Sequence, residues 1–189
     1  MPSPRRAALI LVLLALLVLL SIVLALLVGS LQVTPAELWA AVTGSASGSG
    51  GLVLELRLPR ALAAFACGAL LALAGALMQV LLRNPLADPY VLGISGGAGV
   101  GAMSGLFFGL SLWAVDALAF AGALLAMLTV FGLARGDGSW TQTRLLLTGV
   151  IVAAGCGALI ALMLSLAEDG RVHGMLFWLM GDLGQTFIW

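Results

Sequence analysis

Residues 7–28 read AALILVLLALLVLLSIVLALLV, broken only by Ser21 and preceded by Arg5 and Arg6. A helix needs about 20 consecutive apolar residues to cross the hydrocarbon of a bilayer, and this run supplies them without a charge. A cleaved secretory signal carries an apolar stretch of only about 7–15 residues, so the run predicts an uncleaved first span. Four more runs of the same kind follow: Ala61–Leu82, Val91–Leu110, Trp113–Ala134 and Leu145–Ala167. The expected fold class is all-α, a polytopic transmembrane helix bundle of about five spans in the membrane lipid bilayer.

Composition agrees with that reading. Of 189 residues, 62% are hydrophobic and 8% charged, and the mean hydropathy is +1.20. A soluble domain carries about 25% charged residues, so this chain lacks the polar groups to cover a globular surface. The formal net charge is zero, and all eight basic residues are arginines. No basic stripe is present, which argues against a nucleic-acid partner. Arginine counting sets the orientation. With the N-terminus cytoplasmic, Arg5, Arg6, Arg83, Arg135 and Arg144 lie inside, and Arg57, Arg60 and Arg171 lie outside. The expected location is the plasma membrane, the bacterial inner membrane, with several passes.

The connections carry their own signals. Thr34-Pro35-Ala36-Glu37 has the form of a capping box with proline at the first helical position. It predicts a short helix through about Val42, lying on the membrane surface. Gly44–Gly51 reads as a flexible loop, and the third and fourth runs are joined by a tight hairpin. After Ala167 come the polar residues Glu168, Asp169, Gly170 and Arg171. Two amphipathic pieces too short to span follow, Met175–Met180 and Leu183–Trp189, with Trp178 and Trp189 suited to interfacial depth.

Lipid removes the hydrophobic drive for helix association, so close backbone packing matters more. Glycines at 93, 97, 101, 105 and 109 repeat every four residues along the third run. Gly149, Ala153, Gly157, Ala161 and Ser165 do the same in the fifth, and Gly68, Ala72 and Ala76 in the second. These ladders read as helix-packing faces, with a path-lining role for Gly93, Gly97 and Gly101 as the alternative. Gly93–Gly101 is not a phosphate loop, because it lacks the Lys-Ser/Thr ending and no strand precedes it. Cys67 and Cys156 sit inside apolar runs at no metal-ligand spacing and read as small packing residues.

Three polar features stand out between Leu56 and Gly101. Arg57 and Arg60 flank Pro59 at the mouth of the second span. They can snorkel to headgroups or offer guanidinium forks to carboxylates on a partner. Gln79, the only amide in that span, can bond a neighbouring helix or face a translocation path. Asn84-Pro85-Leu86-Ala87-Asp88-Pro89 places two prolines in one short connection. Each proline lacks an N–H and pushes the preceding residue out of helix, which predicts a rigid joint or a simple turn.

The run RLPR, then GALLALAGALMQ, then NPLADPYVLGISGGAGVGA resembles the FecCD/BtuC-like permease subunits of ABC importers for iron–siderophores, haem or cobalamin. TRLLLTGV at Thr143–Val150 and MLFWLMGDLG at Met175–Gly184 resemble the same family in the same order. The resemblance implies a type II ABC importer permease, a homodimer or pseudo-dimer with a path at its interface. Cytoplasmic ATP-binding subunits would drive it, so this chain itself needs no cofactor, and a periplasmic or lipid-anchored substrate-binding protein would deliver the cargo. It further implies that Arg57, and less directly Arg60, dock the binding protein. Asn84, Pro85 and Leu86, with Gln142 and Thr143, would form the cytoplasmic gate. Family members have ten spans per subunit, so the resemblance covers an N-terminal half and the chain reads as a truncated or half permease.

Two rivals differ in class. A membrane enzyme would want ionisable groups within its spans. Only Asp116 qualifies, near a span end, while His173 lies in a loop without a companion, with Asp169 nearby. No catalytic or metal site is expected. A structural half-permease that pairs with a second chain would instead use the glycine ladders between chains.

Overall fold

The computed structural model describes residues 3–29, 33–44, 51, 53–135, 141–181 and 183. The expected loop at Gly44–Gly51 and the last amphipathic piece fall almost wholly outside these residues. The described residues form helices joined by turns, without a strand among them, and fall into two compact units, one within Met1–Ala69 together with Leu183 and the other within Leu70–Asp182.

The first unit holds α1 (Pro4–Leu27), α2 (Pro35–Val42), a π-helical turn at Val53–Arg57 and the start of α3 (Leu58–Leu82). α1 opens with Pro4 at its first position, where the missing N–H costs nothing. Only Leu26 of its side chains is buried, as suits a helix that is apolar all round. α2 starts where the capping box puts it: Thr34 Oγ1 accepts from the Glu37 N–H at 3.3 Å, and the Thr34 N–H donates to Glu37 Oε2 at 2.8 Å. Leu26, Val33 and Val53 form the core of this unit, with Ile22, Leu38 and Leu58 packed around it.

The second unit holds the rest of α3, a 3-10 turn at Pro89–Leu92, α4 (Ile94–Phe107), α5 (Leu112–Ala134), α6 (Gln142–Leu166) and α7 (Asp169–Met180). α1, α3, α5 and α6 are each long and apolar enough to cross a membrane. The third expected span, Val91–Leu110, is different. Gly93 takes a left-handed φ of 69° and separates the 3-10 turn from a helix of 14 residues. At 1.5 Å per residue that helix is about 21 Å long, short of the roughly 30 Å hydrocarbon core.

Glycine explains how so short a helix is held. A Cβ at Gly97 would overlap the Gly122 carbonyl, and one at Gly101 the Leu118 carbonyl. Gly105 faces Val115, and Gly122 in turn faces the Gly97 carbonyl. α4 and α5 thus lie backbone against backbone. Gly96 and Gly99 present a second side of α4 to Cys156 and Ile160 of α6. The expected five-rung ladder is therefore three rungs long within α4, because Gly93 and Gly109 serve its two ends. In α6, Gly149 packs against the Val91 carbonyl while Gly157 faces open space, as does Gly68 in α3. Cys156 is half-buried as expected, whereas Cys67 is exposed on α3, on a helix whose residues from Ala64 to Leu73 are all exposed.

Two clusters close the second unit. At one end Met78, Leu82, Leu92, Val130, Ala134 and Leu145 pack together. At the other, Ala102, Met103, Val115 and Met175 do so, with Trp178 against them. Trp178 packs on this cluster under α7, a helix that begins six residues before the expected Met175.

Gly101→Ala should destabilise the fold by about 1–3 kcal/mol, the usual cost of overpacking. Gly132→Ala, where a Cβ meets nothing within 4 Å, should be neutral or slightly stabilising through helix propensity. SDS titration of both variants in mixed micelles checks the contrast.

Candidate functional site: a rigid joint between α3 and α4

The joint is built from the end of α3. The Arg83 N–H donates to the Val80 carbonyl at 3.3 Å and the Asn84 N–H to the Gln79 carbonyl at 3.2 Å. That pair of bonds is a Schellman motif, which needs a left-handed residue just past the helix. Here it is Arg83, at φ 46°, a conformation that costs a side-chain-bearing residue roughly 1–2 kcal/mol. Pro85 then prevents any return to helix.

Side chains lock what the prolines begin. Asn84 Oδ1 accepts from the Leu86 N–H at 2.9 Å, and the Asn84 carbonyl accepts from the Ala87 N–H at 3.1 Å. Asp88 Oδ1 accepts from the Tyr90 N–H at 2.7 Å and so caps the 3-10 turn. Gln79 Nε2 donates to the Pro85 carbonyl at 3.1 Å. Its amide therefore ties the joint to the last turn of α3, a partner that neither sequence expectation named. The bonds to Asn84 Oδ1 and Asp88 Oδ1 are of the side-chain-to-backbone kind that Asn and Asp favour in turns.

The joint rests on the first cluster of the second unit. Leu82 precedes it, Ala87 lies within it and Leu92 closes it, and all three share one cluster with Leu145, one turn into α6. At its far end Gly93 sits against Gly149 and Ala153, where a Cβ would come within 3.2 Å of α6 backbone atoms. The fold thus brings Asn84, Pro85 and Leu86 to the same end of the unit as Gln142 and Thr143, the first two residues of α6. Both are exposed, and Thr141 caps them by accepting from the Arg144 N–H at 3.3 Å. Leu86 projects with 88% of its surface exposed. Gly97 and Gly101 belong to the α4–α5 contact.

Arg57 and Arg60 lie in the first unit and differ in setting. Arg57 Nη1 donates to the Leu26 carbonyl at 2.8 Å, and its guanidinium lies against Gly29, where a Cβ would come within 2.7 Å. A cation at a helix C-terminus complements the helix dipole, so Arg57 holds the end of α1. Arg60 is exposed. Asp116 is exposed early in α5, and the His173 ring lies 5.3 Å from that of Phe177.

Sequence reading missed Asp88, Thr141 and Arg171. Asp88-Pro89 carried a usable signal, a capping residue before a proline at the first position of a turn. Arg171 carried none, because its partner lies far off in sequence: it donates through Nη1 to the Phe107 carbonyl.

The chain matches the FecCD transport family over residues 16–189. It is 39% identical over 174 residues to the vitamin B12 import system permease protein BtuC of Salmonella paratyphi A, covering 90% of this chain and 51% of that one. The proteins of the same description from Salmonella newport and Salmonella typhi match equally well. A solved structure described as an inward-facing metal-chelate type ABC transporter superposes with a TM-score of 0.73 at 27% identity, over 90% of this chain and 51% of its own. The chain therefore spans about half the length of the relatives it matches. An all-helical, multi-pass membrane architecture with this sequence is a permease architecture, and the chain belongs to the FecCD transport family.

Proposed function

We propose that the chain is a transmembrane permease subunit of an ABC importer that moves a bulky metal chelate across the plasma membrane. The observation that carries this reading is the match to a transport family along nearly the whole chain. The relatives' descriptions name vitamin B12 import and a metal-chelate transporter. Cobalamin is therefore the first cargo to test, with ferric siderophore and haem as the related chelates. No step here is chemical, and the work of the chain is to hold and gate a path. Separate cytoplasmic ATPase subunits would supply the energy, and a second permease copy or half would complete the path.

In this reading the N-terminus is cytoplasmic and the joint at Asn84–Leu92 is a cytoplasmic gate element, with Gln142 and Thr143 beside it. A gate must move as a unit, and the bonds from Gln79, Asn84 and Asp88 make the joint stiff. Gly93, left-handed and closely packed, is its pivot against α6. On the outer face, exposed Arg60 offers its fork to carboxylates of a binding protein. Arg57 contributes to the same docking surface by holding the neighbouring end of α1.

A second reading, a half-permease that pairs with another chain, is favoured by the open sides of α6. Gly155 and Gly157 have nothing within 4 Å of a Cβ position. Blue-native electrophoresis of the isolated chain beside a full-length relative tests the pairing, since a pairing half migrates as a defined dimer and an inert fragment does not.

The transport reading expects the chain, completed by its second permease copy or half, to co-purify with an ATPase and a binding protein, and proteoliposomes holding the whole assembly to take up cobalamin on ATP addition. Uptake of none of the three chelates overturns it. Arg60→Glu should weaken binding-protein affinity at least tenfold, measured by surface plasmon resonance on nanodisc-held permease. Asn84→Ala should speed hydrogen exchange at the Leu86 amide by about five- to tenfold, the equivalent of one hydrogen bond of roughly 1 kcal/mol. Asn84→Asp keeps the acceptor and should leave that exchange near the parent's.

A further inference from the structure

α4 ends inside a membrane protein after only 14 residues, which poses a problem of unsatisfied carbonyls. The last four C=O groups of any helix lack partners within it. In α4 every one of them has a donor. The Ser104 carbonyl accepts from the Phe108 N–H at 3.1 Å, Gly105 from Leu110 at 2.9 Å, and Leu106 from Gly109 at 3.0 Å. The Gly105 and Leu106 bonds form a Schellman turn, which the left-handed Gly109, at φ 67°, makes possible. The fourth carbonyl, Phe107, has no main-chain donor in this set, and Arg171 of α7 supplies one through Nη1.

The rest of α7 is arranged around that bond. Arg171, Met175 and Trp178 fall at i, i+4 and i+7, one face of the helix. Met175 is completely buried against Ala102, Met103 and Val115, and Trp178 packs on the same cluster. The Arg171 guanidinium lies over Gly109, with Cζ 3.7 Å from where a Cβ would be. Glu168 Oε2, 3.5 Å from Arg171 Nε, steers the side chain from its own helix.

We propose that Arg171 is a positioning residue: it completes the C-terminal cap of α4 and thereby pins α7 to the α4–α5 hairpin. The proposal does not rest on the transport reading, since it concerns a carbonyl and its donor. Its guanidinium does two things that packing alone cannot. It supplies a donor to a carbonyl left open at the end of α4, and it brings a positive charge to the negative end of the α4 dipole. The ion pair with Glu168 is exposed and of the kind that contributes little by itself.

The test is residue-resolved hydrogen exchange of the chain in lipid nanodiscs, comparing Arg171→Met, Arg171→Lys and Glu168→Gln with the parent. Arg171→Met keeps the aliphatic stem and removes the donor. It should speed exchange at least tenfold at Gly109, Leu110 and the α7 amides, and leave α2 unchanged. Arg171→Lys keeps a charged donor and should stay within about threefold of the parent. Glu168→Gln should match the parent. Parent-like exchange in Arg171→Met, or equal acceleration in Glu168→Gln, overturns the proposal. If Arg171→Met does not fold, Arg171→Lys decides: parent-like exchange upholds the need for a donor, and tenfold faster exchange overturns it.

Discussion

The close approach of α4 to α5 is the contact on which the second unit depends. Where lipid surrounds a helix, burial of apolar side chains offers little preference for protein over hydrocarbon, so association rests on van der Waals packing and satisfied polar groups. Gly97, Gly101 and Gly122 let two backbones meet where any side chain would intrude. α4 is thereby placed firmly although it is too short to be fixed by the two membrane surfaces. α6 then packs against the other side of α4, over Gly96 and Gly99.

A short helix shifts the burden to its ends, and both ends of α4 are elaborated. Before it lies a joint in which two prolines forbid helix and Gln79, Asn84 and Asp88 fix the alternative path of the chain. After it, a glycine-centred turn and a distant arginine supply donors to its final carbonyls. The same rule governs the end of α1, whose Leu26 carbonyl takes its donor from Arg57. Gln79, Arg57 and Arg171 each donate to a main-chain carbonyl, those of Pro85, Leu26 and Phe107.

Much of this was legible in the sequence. The apolar runs gave the four long helices to within a few residues, since length and hydrophobicity are local properties. The capping box at Thr34–Glu37 and the prolines at 85 and 89 were read correctly, because each acts on its nearest neighbours. The third run was read as one span because its composition is uniformly apolar. Its break at Gly93 comes from a left-handed backbone that composition does not reveal, and the five-glycine repeat concealed that two of its members are turn residues.

The sequence by itself determined the class of the protein: apolar segments of spanning length, too few charges for a soluble surface, and a family signature in RLPR and NPLADP. It determined as well where the chain must leave helix, since proline acts through its own ring and the residue before it. Tertiary structure alone decided which glycines are contacts, which arginine holds a helix end and which stays exposed, and that Gln79 answers Pro85. Those outcomes depend on which backbone atoms come within about 3 Å of one another, and Phe107 and Arg171, separated by 64 positions, meet only because α4, α5, α6 and α7 have already packed.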